Sequence, residues 1–358
     1  MLNRSTKEHR RPATLSLFAR SLRREWRRLS LPDSNATIVV AVSGGADSAT
    51  LLFALDELIN ADKLKITILV AHLNHKLRGA RSDDDARWVR RIAKKLGHDV
   101  IVASADVKTM AAKSRDNLEQ AARRARYDFL QKVASRKKAI AIVTGHTMDD
   151  QAETVLMNLL RGSGTTGLSG IEPIRQLNPR ARILLARPLL TWATRTETEG
   201  YCRQHSIEFR MDEMNNDEAF TRVRVRQQVV PLLKSFNPKF VAGIARTAEL
   251  LRDDAAALDS AAMKLIESSR DRPLDGQNSS LRADVLETAE PALRRRALRR
   301  WIALHRGDLR RLELIHIAAI EKLIFNRKSG RIVELPGGAR VLRKGGRLHY
   351  RKRSHAGL

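Results

Sequence analysis

The residues best suited to chemistry form a short glycine-containing turn: Ser43, Gly44, Gly45, Ala46, Asp47 and Ser48. Two glycines let the backbone approach a ligand closely, and two serines supply hydroxyl donors. If a helix begins here, its unpaired N–H groups and partial positive charge suit a phosphate. Asp47 would repel a phosphate unless a divalent cation lay between them, which indicates Mg²⁺-nucleotide chemistry. The alternative is an ordinary strand–helix turn in which Asp47 and Ser48 only cap the helix.

A buried parallel strand must position this turn, because an apolar, β-branched run over 37–42 leads directly into it. Further strand and helix patterns alternate along the chain. Strands are predicted at 37–42, 65–73, 99–104, 139–144 and 183–188, and helices at 48–60, 83–96, 116–134, 149–161 and 194–205. This alternation predicts an α/β fold with a doubly wound parallel sheet, whose ligands lie at the carboxyl ends of the strands.

Other polar groups follow these same strand ends. His72 and His75 come after the second strand, where we expect a polar loop over the nucleotide; a purely local structural role remains open. Glu119, Arg123 and Arg126 share one helix face, where the arginines could meet phosphates or form a solvated charged surface.

A second strand–turn–helix pattern has its turn at Gly145, and the helix that follows begins with acidic residues. Asp149, Asp150 and Glu153 could hold Mg²⁺ or a substrate ammonium, although acidic residues also stabilise a helix N-terminus without any further role. Arg161 ends this helix beside a glycine-rich loop, so it could close over reacting phosphates, or the loop could be a flexible linker.

Composition limits the class of protein. The 358-residue chain is 42% apolar, enough for a real core, and it contains no run of 18 apolar residues and no recognisable signal peptide. A net charge of +27 indicates a polyanionic partner, most simply nucleic acid. Aromatic residues make up only 4%, so phosphate contacts and shape should dominate recognition. The single cysteine, Cys202, excludes an internal disulfide and argues against sulfur transfer, and we expect a cytoplasmic enzyme without membrane contact.

The turn after the first strand resembles the PP-loop of the N-type ATP pyrophosphatases, and the longer segments resemble the tRNA(Ile)-lysidine synthetases. The matching segments are SGGADS (43–48), HLNHKLRG (72–79), NLEQAARRARY (117–127), GHTMDDQAETVLMNLLRGSGTTGLSGI (145–171) and RPLL (187–190). The resemblance weakens later in the chain. Met214, Val223 and Gln227 stand where that family usually has Ser, Asn and His.

The resemblance implies a reaction. Members of this family use ATP to adenylate the C2 oxygen of cytidine 34 in the CAU-anticodon tRNA(Ile), and the ε-amine of free L-lysine then displaces AMP. The lysidine that forms changes decoding from AUG to AUA. By resemblance, ATP and Mg²⁺ are the cofactors, and a homodimer is left open.

The resemblance also assigns roles to residues. The ATP site would include residues 43–48 together with His72 and Gly145, with Asp47 acting indirectly through Mg²⁺. Arg123, Arg126 and Arg161 would stabilise phosphate charge, and Asp149, Asp150 and Glu153 would hold the lysine ammonium or the metal. The tRNA contacts would include Arg222, Arg224, Arg226, Arg295 and Arg299.

Four regions are expected on this basis. They are a basic helical arm (1–36), a PP-loop catalytic domain (37–225), a helical linker or tRNA-binding domain (226–290) and a basic tRNA-binding region with a β-meander (291–358). Two other functions remain open: another PP-loop ATP pyrophosphatase, either tRNA-modifying or amide-forming, and a nucleotide-sensing RNA-binding module without catalysis.

Overall fold

The structure is a computed structural model that describes residues 15–77, 79–114, 117–178, 182–210, 221–270, 280–326 and 328–352. The chain divides into two compact units, Met1–Glu249 and Leu250–Leu358. None of the helices in the described ranges combines the length and apolar character needed to cross a membrane.

The first unit is built around a six-stranded sheet. Its strands are β1 (Ser34–Ala41), β2 (Lys65–Asn74), β3 (Asp99–Ser104), β4 (Ala141–Thr144), β5 (Ile174–Asn178) and β6 (Ile183–Ala186), in the order β3-β2-β1-β4-β6-β5. All neighbours are parallel except β5 and β6. Val39 and Val40 of β1 are fully buried, because helices cover both faces of the sheet. The predicted doubly wound parallel sheet is confirmed.

The helices of the first unit alternate with these strands, as predicted. They are α1 (Leu17–Arg28), α2 (Ala46–Asn60), α3 (Ala80–Leu96), α4 (Val107–Ser114), α5 (Leu118–Arg136), α6 (Met148–Leu160), α7 (Thr165–Leu168), α8 (Arg195–Gln204), α9 (Thr221–Arg224) and α10 (Val230–Phe236). A π-helical turn, Val225–Val229, joins α9 to α10. α1 packs its buried Leu22 and Trp26 into the main core.

Four elements of this unit were not predicted: β5 and the short helices α4, α7 and α9. β5 is an antiparallel edge strand with the polar sequence Ile-Arg-Gln-Leu-Asn and an irregular register against β6. An edge strand needs no continuous apolar run, so the periodicity that identifies the central strands is absent from it.

The long helix α11 (Phe240–Ser268) runs across the boundary between the two units, and residues 237–239, which include Pro238, separate it from α10. The second unit continues with β7 (Leu281–Arg282), α12 (Ala283–Glu287), α13 (Pro291–Arg306), α14 (Leu314–Phe325), β8 (Ile332–Glu334), β9 (Arg340–Lys344) and β10 (Arg347–Arg351). The predicted β-meander is confirmed as an antiparallel sheet in the order β7-β10-β9-β8. Its core includes the buried Trp301 and Val341.

Candidate active site

The turn after β1 folds into a cradle of backbone groups. The Val42 N–H donates to the Ala71 carbonyl at 3.0 Å, which keeps the end of β1 paired with β2. Gly44 has a φ of +103°, a conformation that side chains disfavour. The Ser48 hydroxyl accepts the Ser43 N–H at 3.1 Å and donates to the Gly45 carbonyl at 3.0 Å. The turn is therefore fixed by its own serine, and α2 begins with its first N–H groups beside it.

Gly145 lies against this cradle from the neighbouring strand β4. A Cβ atom at Gly145 would stand 2.7 Å from the Asp47 carbonyl oxygen and 2.9 Å from the Ser48 nitrogen. Such distances are too short for real atoms, so only glycine lets the two strand ends come together here. β1 lies between β2 and β4, and the winding of the sheet reverses there, which is where an open α/β sheet forms its crevice.

Asp47 is the acidic group in this crevice. Burial and the nearby charge of Asp150 raise its pKa to about 6, although the Thr198 hydroxyl donates a hydrogen bond to it. The Arg195 Nε lies 3.8 Å from the Asp47 Oδ2. A carboxylate with a raised pKa is poorly compensated as an anion, so Asp47 would gain stability from a cation placed beside it.

Arg195 links the acidic groups of the crevice to each other. Its guanidinium lies 3.8 Å from Asp150 and 3.4 Å from Glu153, and its backbone N–H donates to Asp149 Oδ2 at 2.7 Å. Burial alone would lower its pKa, but these carboxylates raise it. Arg195 stays charged and screens the acidic residues from one another.

Glu153 is the centre of an arginine cluster formed by Arg195, Arg222 and Arg226. Its side chain is only 1% exposed, and it accepts hydrogen bonds from Arg222 Nε at 2.8 Å and Arg226 Nε at 2.6 Å. Both carboxylate oxygens therefore already contact guanidinium groups. Glu153 tethers the segment around α9 to helix α6, and Arg222 and Arg226 lie against this carboxylate.

The other two acids at the start of α6 have different surroundings. Asp150 caps the helix by accepting the Thr147 N–H at 2.9 Å, and Arg222 Nη2 lies 3.2 Å from its other oxygen. Burial opposes ionisation of Asp150, but His146, Arg222 and Arg195 outweigh it and lower the pKa to about 2. Asp149 has the Arg195 N–H and, at 3.7 Å, the Lys234 ammonium.

His72 and His75 lie beside the cradle as neutral rings. His72 Nδ1 is 2.8 Å from the Val42 carbonyl. Burial lowers the pKa of both, that of His75 to about 4. Within the described residues, the buried His72 Nε2 and His75 Nδ1 atoms find no hydrogen-bond partner. Buried polar atoms are rarely left unpaired, so these two mark a place where a polar ligand fits.

A second group of arginines surrounds Tyr127 on α5. The Arg123 guanidinium lies 5.2 Å from the ring centroid and that of Arg175 lies 5.7 Å from it. Arg187 is 1% exposed and donates to the Glu172 carbonyl at 2.6 Å and to the Tyr127 hydroxyl at 3.3 Å. Arg126 lies about one helical turn after Arg123 on α5, and its side chain is exposed.

Comparison with known proteins identifies this arrangement. Residues 18–233 match the PP-loop domain family, a range that contains the cradle, Gly145 and the acidic start of α6. The chain belongs to the PP-loop family. Residues 281–349 match the TilS substrate binding domain, and they lie in the second unit.

Curated relatives carry one recurrent name. The chain is 39% identical to a tRNA(Ile)-lysidine synthase of Geobacter sulfurreducens over 88% of its own length and 65% of the relative. It is 35% identical to one of Dehalococcoides mccartyi, over 87% of the chain and 65% of the relative. The chain thus spans just under two thirds of the length of these relatives.

The fold also has a solved counterpart. The U34-tRNA thiolase NcsA of Methanococcus maripaludis superposes with a TM-score of 0.55, covering 66% of this chain and 80% of that one. The two sequences are 17% identical, so this likeness concerns the fold.

The PP-loop unit brings together most of the predicted site residues, but not Arg161. Arg161 is exposed just after the last residue of α6, and twelve residues separate it from Asp149 at the other end of that helix. At about 1.5 Å per residue their Cα atoms are roughly 18 Å apart, so Arg161 lies away from the PP-loop.

The predicted RNA contacts fall into two groups. Arg224 is exposed on α9, whereas Arg222 and Arg226 bind Glu153. In the second unit, Arg295 Nε contacts Glu321 at 2.8 Å and Arg299 NH1 donates to the Leu312 carbonyl at 3.4 Å. Of the three departures from the family pattern, Val223 is buried, Gln227 lies in the π-helical turn, and Met214 lies outside the described residues.

Sequence reasoning missed two arginines of this site, Arg195 and Arg187. Each follows the last parallel strand, β6, and such strand ends were already expected to carry ligand-binding groups. Arg195 also sits directly after Thr194, which forms a capping box with Glu197. The sequence signal that could have identified Arg195 was a charged residue at the first position of a helix that faces the sheet edge.

Proposed function

We propose that this chain is an ATP-dependent ligase that joins L-lysine to cytidine 34 of the CAU-anticodon tRNA(Ile) and forms lysidine. One observation carries the proposal: a PP-loop unit and a segment that matches the TilS substrate binding domain occur in a single chain. Curated relatives at 39% and 35% identity carry the name tRNA(Ile)-lysidine synthase.

ATP fits the cradle beside β1. Its phosphates would meet the backbone of residues 43–48, in a space kept open by Gly44 and Gly145, and the unpaired nitrogens of His72 and His75 would face the nucleotide. No group of three or more acidic, histidine or cysteine residues that could hold a metal occurs in the described part of the chain. Mg²⁺ would therefore be held mainly by the phosphates, with Asp47 as its protein partner.

In the first chemical step, ATP would activate the nucleobase of cytidine 34. The C2 oxygen of cytidine 34 would attack the α-phosphate of ATP, and pyrophosphate would leave. The cytidine must leave its stack to reach the crevice. Arg123 and Arg126 would stabilise the negative charge that develops on the phosphates, since guanidinium groups bind phosphate oxygens in pairs. The resulting AMP ester makes C2 electrophilic.

The second step needs lysine with a free ε-amine. The amine would attack C2, lose a proton and expel AMP. Asp149 is the better candidate for holding the lysine ammonium before the reaction, because its Oδ1 has only the Lys234 ammonium at 3.7 Å. Asp150 and Glu153 are better suited to positioning, because both oxygens of each already contact N–H or guanidinium groups. Arg195 would neutralise these acids while the site is open to solvent.

The RNA partner accounts for the charge of the chain. A net charge of +27 would attract tRNA over a long range, and Arg224, Arg295 and Arg299 would contact its backbone. Free lysine and tRNA meet in the cytoplasm, where we place the enzyme.

Mass spectrometry of nucleoside 34 tests the proposal. CAU-anticodon tRNA is incubated with the protein, ATP, Mg²⁺ and lysine, and lysidine at position 34 is the expected product. The Asp47→Ala variant should make none. Pyrophosphate release that needs a different acceptor would favour another PP-loop synthetase, and nucleotide binding without any turnover would favour a sensing module.

A further inference from the structure

An exposed aromatic ring borders a basic cavity in the second unit. The cavity has a volume of about 680 Å³, within the roughly 300–1,000 Å³ typical of ligand sites. It lies along α13 and α14 and reaches the residue before β8. Its lining consists of Arg294, Arg295, Ala318, Glu321, Lys322, Phe325, Asn326 and Arg331. We call it the Phe325 cavity.

The lining carries more positive charge than its own carboxylate can neutralise. Glu321 is buried and accepts hydrogen bonds from both Arg294, at 3.0 Å, and Arg295, at 2.8 Å. Lys322 and Arg331 are exposed, and neither forms an ion pair among the described residues. Four cations thus face one carboxylate, which makes the cavity attractive to an anion.

Phe325 is held in place although half of it faces solvent. The ring is 51% exposed, and the guanidinium of the buried Arg294 lies 4.8 Å from its centroid. Aromatic residues are only 4% of this chain, and Phe325 and Phe236 are the aromatic members of the exposed large hydrophobic residues described. A fixed, accessible ring next to unneutralised cations suits a flat apolar group joined to an anion.

We propose that the Phe325 cavity binds an unpaired nucleotide of the RNA substrate, with its base stacked on Phe325 and its phosphates on Arg295, Lys322 and Arg331. Stacking on one aromatic ring accepts any base, while the cations contact the backbone. An acidic peptide would satisfy the cations but would leave the ring exposed. This inference rests on the proposed function and specifies where the second unit meets RNA.

Binding of CAU-anticodon tRNA to single variants of the full chain tests the stacking contact. Phe325→Ala should weaken binding about tenfold, because stacking on an aromatic ring contributes that much per base, and Phe325→Trp should restore it. Leu314→Ala is the matched control: Leu314 is 65% exposed on the same helix and outside the cavity, so its loss should change nothing. Circular dichroism checks that each variant folds.

The charges are tested by the salt dependence of the same binding. A plot of the logarithm of the association constant against the logarithm of the salt concentration has a negative slope. The double variant Lys322→Gln, Arg331→Gln should reduce the magnitude of this slope by about 2, whereas Phe325→Ala should leave it unchanged. A blunt-ended RNA duplex, which has no loop and no unpaired base, should bind Phe325→Ala and the wild type equally, since its bases are not free to stack.

The outcomes separate this inference from the proposed function. If the wild type makes lysidine but Phe325→Ala binds tRNA as tightly as Leu314→Ala does, the stacking site is overturned and the function stands. If the wild type neither binds nor modifies tRNA, the proposed function fails as well. Competition by an acidic peptide that depends on Phe325 would also overturn the assignment to RNA.

Discussion

At the scale of single residues, the crevice contains charges that are only partly compensated. Asp47 has a raised pKa because it is buried near Asp150. Glu153, by contrast, is almost completely buried yet well compensated by two arginines. The two carboxylates are therefore suited to different roles. In the proposed function, Asp47 would contact a cation that arrives with the nucleotide, whereas Glu153 already pairs with arginines of the fold.

The variant Asp47→Asn should lose lysidine formation but gain stability in the absence of ATP. The folded pKa of about 6 lies above the unfolded value of 3.8, so the folded protein holds the proton longer as the pH rises. The free energy of unfolding of the wild type should therefore fall between about pH 4 and 6 relative to the variant, by no more than about 3 kcal/mol. Urea unfolding at several pH values measures this difference.

A constant difference across that pH range would show that Asp47 is not destabilised by its charge. Asp62→Asn serves as the control, because the Asp62 side chain is 79% exposed. Saturating ATP and Mg²⁺ should reverse the order of stability, since only the wild type has a carboxylate for the cation.

The variant Glu153→Gln should destabilise the first unit by about 2 kcal/mol. It removes the charge that compensates Arg222 and Arg226, and breaking a buried ion pair from one side costs about 3–5 kcal/mol, less here because the arginines are 23% and 24% exposed. Glu199→Gln is the control, since its pair with Arg203 is an exposed i,i+4 contact at 3.7 Å. Equal urea midpoints for the two variants would contradict a tethering role for Glu153.

At the scale of elements, the site depends on the close approach of two strand–turn–helix units. The turn that leads into α2 and the turn that leads into α6 come from strands β1 and β4, which pair in register from Ile38 with Ala141 to Ala41 with Thr144. Gly145 lets the second turn touch the backbone of the first. The PP-loop geometry is therefore a property of the pair of strands, and neither turn has it alone.

The variant Gly145→Ala should weaken ATP binding by a larger free energy than it lowers the free energy of unfolding. The added methyl group would have to push the backbone of Asp47 and Ser48 away, and these atoms belong to the proposed phosphate cradle. We expect at least a tenfold rise in the Kd for ATP, measured by calorimetry. Gly243→Ala is the matched control, because a Cβ there meets nothing within 4 Å on helix α11. That change should leave ATP binding unaltered and stabilise the helix by about 0.5–1 kcal/mol.

At the scale of the whole molecule, charge and division into two units would set how the proposed RNA substrate is bound. The PP-loop unit holds the candidate chemistry, and the unit from Leu250 onwards holds the match to the TilS substrate binding domain. The net charge of +27 acts on any polyanion, so it provides attraction without selectivity. If the proposed function holds, selection of one tRNA must come from contacts made at particular positions.

The affinity for tRNA should therefore depend steeply on salt, while ATP binding should not. A protein that neutralises six or more phosphates loses about a thousandfold in affinity between 50 and 200 mM salt. Filter binding with CAU-anticodon tRNA, beside calorimetry with ATP and Mg²⁺ at the same salt concentrations, measures both. A weak salt dependence for tRNA would mean that few of the arginines contact phosphates.

The sequence by itself determined the local design of this protein. Apolar runs and their spacing predicted the central strands, and the glycines and serines after β1 predicted the tight turn into α2, because short-range sterics and hydrogen bonding fix such features. The sequence could not show that Glu153 would be taken by Arg222 and Arg226, which are 69 and 73 residues away, or that Arg195 would lie between Asp47, Asp150 and Glu153. Those contacts follow from the order in which the strands assemble, and only the tertiary structure decides which side chains share a low-dielectric crevice.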